Sequence, residues 1–480
     1  MKKLIKYSWI ILVFSLGLAS CSDWLELTPE DDLVSDEFWK SQKDVEAVLA
    51  NSYNQLAIQV KPLLLWGELR GGLMSEGQSV PSDASRIMRG DITDINSLIK
   101  WSDLYKLING VNQILKFAPQ VRDYDPSFSL AELRQIESEA LFLRALSYFY
   151  LVRAFKEVPL ILEPYTSDGQ DFYPAKSDES AILQQIQTDL NQALDGAATS
   201  FGSIESNKGR ATYFAINALL ADVFLWQDDY EPALEHCDAI INSGQYGLMG
   251  SNSWFQNFYP GNSNSSIFEL QFSKNWNYTS NLYETFSYQR GKQYIINPRV
   301  VEIFGQTDVR GEGATYAIAN LEIWKYIGIN ETEERGDALN DNNFIIYRLA
   351  DIMLLKAEAL AELQRFDESL EIINSLREKR NAEALTSDPA INAFEDLILE
   401  ERSRELAFEG KYWFDLIRFG KRDNYRNKEK VIAALTLNAS ADEIPALMAK
   451  FQDPYSWYLP IHRDELLINN NLEQNPYYQN

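Results

Sequence analysis

Glu401 and Glu405, one helical turn apart, are the first pair of side chains in this 480-residue chain whose spacing suits chemistry. Glycoside hydrolysis needs two carboxylates about 5–9.5 Å apart, one on each side of the scissile bond. Both of these leave one face of one helix, so they cannot flank a sugar ring. With 70 acidic residues, some carboxylate pair in a cleft is also expected by chance. His236 and His462 lie far apart in sequence, and His236 falls inside a helical run, which suits packing better than proton transfer. Cys237 has no activating neighbour besides His236 and reads as a small buried hydrophobe. No HExxH, GxSxG, P-loop, Gly-rich dinucleotide or EF-hand motif is present. The expectation is no catalytic residue, no cofactor and no metal motif, with a loop calcium held by carboxylates and asparagines left open.

Binding chemistry is better represented. Sugar rings present flat C–H faces edged by hydroxyls, which aromatic platforms and Asp, Asn, Arg or Gln side chains complement. The stretch Lys274-Asn275-Trp276-Asn277-Tyr278-Thr279-Ser280-Asn281-Leu282-Tyr283 has that make-up. By contrast, Trp254, Phe255, Phe258 and Tyr259 are so densely apolar that packing or a partner contact suits them better.

The elements that must position such groups are pairs of helices. Asn217, Leu220, Ala221 and Phe224 form a stripe at helical spacing, and Tyr230 and Ala233 open a second helix reaching Ile241. Met353, Ala357 and Leu360 likewise precede Phe366, Ser369 and Ile373. Setting Ala233 and Ser369 at one repeat position aligns Ala221 with Ala357 and Tyr230 with Phe366. Small residues there admit close helix approach, and the aromatic wedges into the pair. Further helices are expected at Ala131–Lys156 with Glu179–Ala197, at Gln42–Ala57 with Leu98–Phe117, and at Phe394–Phe408. The repeats are not tandem. Two long irregular inserts, near 64–96 and 244–313, interrupt them, and strands are expected at Ser266–Phe272 and Ile323–Ile327. Long irregular stretches inside a compact domain are usually functional.

Lys2, Lys3 and Lys6, then the apolar run Tyr7–Leu18, form a secretory signal over residues 1–20, too short to span a bilayer comfortably. Leu18-Ala19-Ser20-Cys21 is similar to a bacterial lipobox, in which Cys21 is acylated and becomes the mature N-terminus. Residues 21–480 hold no other long apolar run and are read as one domain. Acylated Cys21 and Cys237 leave no intramolecular disulfide, so the core must hold the fold, which 45% hydrophobic composition permits. A formal charge of −26 works against nucleic acid and anionic membranes and suits a neutral or cationic ligand.

Leu397–Gly420, reading LILEERSRELAFEGKYWFDLIRFG, is the most distinctive string. Phe394, Leu397, Ile398 and Phe408 recur at helical spacing, Gly410 is placed as a left-handed cap, and a second helix starts at Tyr412. Glu401 and Glu405 fall near the apolar stripe, with Arg402, Arg404 and Arg418 as natural partners. The string closely resembles the hallmark of the SusD/RagB family, surface lipoproteins that capture nutrients, usually glycans, for an outer-membrane transporter. LRALSYFYLVRAFKEVPLI (Leu143–Ile161), TDVRGEGATY with WKYIG (Thr307–Gly328), RLADIMLLKAEAL (Arg348–Leu360) and NNLEQNPYY (Asn470–Tyr478) extend the resemblance over nearly the whole mature chain.

The resemblance implies a mainly α fold: a SusD-like bundle of four tetratricopeptide-like helix pairs with long loop-rich inserts and a few short strands. It implies a lipid-anchored protein at the cell surface of the outer membrane. Such a protein delivers an oligosaccharide or polysaccharide to a SusC-like TonB-dependent transporter and is not an enzyme. Arg144, Asp308, Arg310, Trp324 and Glu405, inside the shared motifs, are expected to be structural. The segment after the first strand would supply the aromatic contacts Trp276, Tyr278 and Tyr283. The Gly-rich insert would add Asp83 and Arg86, beside Arg89 and Asp91, while Trp101 stands open between structural and binding roles. A RagB-like member would instead capture peptides in an extended groove of backbone donors and acceptors. A helical-repeat protein-interaction scaffold would leave the lipobox and the aromatic inserts without a purpose.

Overall fold

The computed structural model describes residues 38–479 apart from 167, 168, 277, 306, 337–339 and 387–390, so Cys21 lies outside the described residues. The main helices are α1 (Gln42–Ala57), α2 (Val60–Glu68), α3 (Ser82–Met88), α4 (Ser102–Tyr124), α5 (Leu130–Phe155), α6 (Glu179–Gly196), α7 (Tyr213–Trp226) and α8 (Tyr230–Ile241). After the second insert come α9 (Leu349–Glu362), α10 (Phe366–Glu378), α11 (Ile391–Glu405), α12 (Tyr412–Tyr425) and α13 (Arg463–Ile468). The four expected pairs form: α1 with α4, α5 with α6, α7 with α8, and α9 with α10. Each pair packs on the next, α4 against α5, α6 against α7, α8 against α9, and α11 then closes on α9. Among the described residues, no helix is long and apolar enough to cross a membrane.

Helix α5 shows why the stack holds. Ser129 and Glu132 form a reciprocal capping box at its start, and every side chain from Ser138 to Phe155 is buried. A helix apolar all round belongs in the middle of a protein. Its arginines are matched: Arg144 makes a bidentate pair with Asp189 of α6 at 2.7 Å and 2.7 Å. Arg153 lies over the Phe149 ring at 3.9 Å and meets Asp222 of α7 at 3.4 Å. The small repeat residues act as expected: Ala221, Ala233 and Ala357 are buried, and the Ser369 hydroxyl donates to the Ala357 carbonyl at 2.7 Å across α9 and α10.

Among the described residues, eight short strands make four antiparallel pairs: β1 (Met74–Glu76) with β5 (Tyr294–Ile296), β2 (Val158–Pro159) with β3 (Lys176–Ser177), β4 (Ser266–Leu270) with β8 (Phe344–Arg348), and β6 (Tyr316–Ala317) with β7 (Glu322–Ile323). The strand expected over Ile323–Ile327 therefore stops at Ile323, and Trp324–Tyr326 form a 3-10 turn. Lys325 is the reason. Its ammonium is fully buried and donates to the carbonyls of Glu405 and Ala407, at 3.2 Å and 2.8 Å, and to the Glu409 carboxylate at 2.8 Å. Helix α11 likewise ends at Glu405 rather than Phe408, and distant side chains take the carbonyls at and beyond its end. Arg348 binds that of Glu405 at 2.7 Å, and the Tyr326 hydroxyl that of Phe408 at 3.0 Å. Phe408 and Gly410 then both take positive φ, 66° and 75°.

Candidate ligand-binding face

Glu401 and Glu405 are fully buried and saturated by arginines. Glu401 accepts from Arg310 at 2.7 Å and Arg377 at 2.6 Å. Glu405 accepts from Arg348 at 2.6 Å, Arg380 at 2.8 Å and Arg310 at 3.2 Å. Of the partners expected from the neighbouring sequence, Arg404 does reach Glu401, at 3.4 Å. Arg402 instead pairs with Asp415 and Asp351, and Arg418 with Glu358 and Asp415. Burial pushes the Glu405 carboxyl up, but Arg380, Arg348 and Arg310 outweigh it and hold the group well below the carboxylate range. A permanently ionised, solvent-free carboxylate cannot serve as a general acid. Asp308, Arg310, Trp324 and Arg144 are buried too, each with a partner.

His236 stacks on Phe224 with ring centroids 5.4 Å apart and pairs with Asn217 at 2.8 Å, and burial lowers its pKa to about 4. His462 caps α13 by accepting from the Asp464 amide. Cys237 is buried, which pushes its thiol pKa far up. All three are packing or capping groups.

The two inserts singled out for ligand binding meet at the β1–β5 ladder, with Met74 opposite Ile296, Ser75 opposite Ile295 and Glu76 opposite Tyr294. Gly77 continues the join: its amide donates to the Gln293 carbonyl at 2.9 Å, and a Cβ there would overlap the Lys292 carbonyl. Asn438 clamps both sides, accepting from the Ser75 hydroxyl at 2.5 Å and the Asn297 amide at 3.3 Å while donating to the Met74 carbonyl at 2.9 Å. Just beyond β1, Arg89 makes a bidentate pair with Glu76 at 2.8 Å and 3.1 Å.

The expected site residues fare differently. Asp83 and Arg86 sit on α3 beside this join. Asp83 accepts from the amide and hydroxyl of Ser97 at 2.8 Å and 2.5 Å, bonds that pull its pKa down. Arg86 makes an exposed pair with Asp91 at 3.1 Å. Tyr278 closes a tight turn through reciprocal backbone bonds with Ser273, at 2.9 Å and 3.0 Å, and its half-buried ring stacks on Phe272 at 5.0 Å. Trp276 ends the 3-10 segment inside that turn, and its side chain lies outside the described residues. Tyr283 is fully buried and its hydroxyl bonds Glu334 at 3.0 Å, so it packs the insert and presents no platform. Trp101 is 3% exposed, set edge-on to Phe155 at 5.0 Å with its indole bonded to the Glu465 carboxylate.

Sequence reasoning missed a polar cleft of about 820 Å³ bounded by Gln42, Tyr53, Gln135, Arg210 and Gln271. At its base Arg210 grips the buried Glu139 carboxylate at 2.6 Å and 2.9 Å, and the Tyr53 hydroxyl joins at 2.7 Å. These residues are too far apart in sequence for any local pattern to announce them. Gln271 ends one wall of the cleft and directly precedes the Phe272–Tyr278 turn.

Residues 270–478 match the family model described as the SusD family, and residues 23–225 match one described as starch-binding associating with outer membrane. The SusD-like protein P38 of Formosa agariphila is 26% identical over an alignment covering 87% of this chain and 92% of that protein. The SusD-like protein P2 of the same organism is 25% identical, with 98% and 99% covered. A SusD superfamily protein from Bacteroides thetaiotaomicron superposes with a TM-score of 0.75 at 22% identity, covering 92% of this chain and 99% of that one. The fold is that of the SusD superfamily, and the chain belongs to the SusD/RagB family.

Proposed function

We propose that this chain is an acylated lipoprotein on the outer face of the outer membrane. It binds an oligosaccharide or polysaccharide without turnover and passes it to a SusC-like TonB-dependent β-barrel. The observation that carries this reading is the β1–β5 join, which ties the Gly-rich insert to the aromatic insert. Trp276 and Tyr278 would offer ring faces to the sugar, and the Arg86–Asp91 and Arg89–Glu76 pairs its hydroxyl partners. Exposed pairs of this kind are worth only about 0–1 kcal/mol, so exchanging a partner for a sugar hydroxyl costs little. Buried Tyr283 and Trp101 fall outside this set. A glycan array followed by calorimetry on the hits tests the reading. Trp276→Ala should weaken binding by about 1–3 kcal/mol, roughly five- to hundred-fold in Kd, with melting temperature unchanged. An array without hits would overturn glycan capture, and sustained release of new reducing ends would overturn binding without turnover.

A further inference from the structure

A second cavity, of about 400 Å³, lies between α4, α13 and the connection from β2 to β3. Its walls are ring-lined. Tyr165 and Phe172 stack nearly parallel, 24° apart with centroids 5.0 Å from each other, and Phe172 is 43% exposed. Tyr105 and Trp101 face the same space, with Ile161, Pro159 and Leu472 filling between the rings.

The rings are held in place by four asparagines. Asn112 donates to the Ile161 carbonyl at 3.0 Å, and Asn109 accepts from the Tyr165 amide at 2.9 Å. Asn469 donates to the Pro174 carbonyl at 2.8 Å and Asn471 to the Tyr173 carbonyl at 2.7 Å. The backbone at Tyr165 and at Tyr173–Pro174 is thus tied to two separate elements, which lowers the cost of ordering the rings at the moment of binding.

The polar groups decide the occupant. Ser102, Asn109, Asn469 and Glu465 line the cavity among the rings, with Lys106, whose ammonium is paired with Asp103 at 2.7 Å. Asn109 spends its Oδ1 on Tyr165, which leaves its Nδ2 as a donor, and the Glu465 carboxylate keeps acceptor capacity beyond the Trp101 indole. An apolar side chain or helix face pressed in here would strip water from these groups and give nothing back. A pyranose ring suits both parts: its C–H face lies on a ring wall, and its hydroxyls meet donors and acceptors at the edge.

We propose that this cavity is a second carbohydrate subsite, taking one neutral pyranose ring against the Tyr165–Phe172 stack. It rests on the glycan-binding reading above and adds a place for a chain end or branch away from the β1–β5 surface.

Saturation-transfer NMR with a panel of methyl glycosides tests it on the full mature protein, alongside calorimetry with an array-positive oligosaccharide. The expected result is transfer to at least one methyl glycoside that Phe172→Ala reduces about ten-fold or more in apparent affinity and Trp276→Ala leaves intact. Because Phe172 is exposed, its variant should melt as wild type does. Tyr165→Leu, which keeps apolar volume but removes one ring of the stack, should weaken the same signal. Transfer that Trp276→Ala abolishes and Phe172→Ala spares would overturn the subsite while leaving glycan capture at the inserts standing. Oligosaccharide binding with no methyl glycoside signal would overturn it too. Absence of any sugar binding would defeat both readings together.

Discussion

Glu68 is the most exposed to test of the buried charges, although no solvent reaches it. Its Oε1 accepts from the amides of Gly410 and Lys411 at 2.9 Å and 3.3 Å, and its Oε2 has no hydrogen-bond partner. Burial raises the carboxyl pKa to about 8 against the pull of those amides and of Lys325. The folded chain therefore keeps a proton that the unfolded chain releases near pH 4.5. Stability from this group falls as pH rises from about 4.5 to about 8, because the native state binds the extra proton. Glu68→Gln removes the titration and keeps the acceptor. In urea unfolding it should match wild type near pH 4.5 and exceed it by about 4 kcal/mol near pH 8. Equal stability at both pH values would mean that Glu68 titrates normally. Asp351 and Glu358 run the other way: burial is outweighed by Lys411 and Arg402 for one and by Arg418 and Arg422 for the other, leaving both at about 2. Their contribution is complete above the ordinary carboxylate range and is lost as pH falls towards 2. At this scale the sequence announced that Glu401 and Glu405 needed partners. It could not say which, because Arg310, Arg348 and Arg380 arrive from distant elements.

Element by element, what was readable is what depends on local periodicity. The four helix pairs emerge where the stripes of Leu, Ala and aromatic residues repeat at helical spacing, and Ala357 and Ser369 already marked the close contact of α9 and α10. What was not readable depends on groups from elsewhere. Lys325 stops β7 at Ile323 in a 3-10 turn, and Arg348 and Tyr326 take the carbonyls at and beyond the end of α11; neither shows in the local pattern. The inserts themselves stood out by composition, but their junction through three residue pairs of β1 and β5 is too short to have a period. The docking of α2 on the motif turn is another long-range event, and it makes a sharp prediction. A Cβ at Gly67 would overlap the carbonyl of Gly410, a backbone contact that no rotamer change relieves. Gly67→Ala should cost about 2 kcal/mol or more and lower the melting temperature. Gly250→Ala, with nothing within 4 Å of its Cβ, should melt within a degree or so of wild type. Matching melts for the two variants would mean that α2 does not rest on Gly410.

For the whole molecule the question is what keeps a protein of formal charge −26 at a membrane. Electrostatic attraction to an anionic leaflet is closed to it, since such a surface repels net negative charge. Among the described residues no helix can span a bilayer, and the long helices spend their apolar faces on one another. Exposed apolar side chains exist, Leu467 and Ile468 on α13 among them, but a short run of this kind falls far below the apolar face that an interfacial helix buries. Several acyl chains on Cys21 would suffice, because each buried methylene contributes about 0.8 kcal/mol and two or more chains make anchoring stable. The prediction is therefore specific to mechanism. Wild type should stay in the membrane fraction through a wash at about 1 M salt, where charge interactions are screened within roughly 3 Å, and should leave it only with detergent. Cys21→Ala should appear in the soluble fraction with an unchanged melting temperature for the folded domain. A Cys21→Ala protein that stays bound but is released by salt would place the attachment in charge contacts with a partner, and the lipid anchor would be wrong. One that stays bound through salt would point to a tight protein partner, with the same consequence for the anchor.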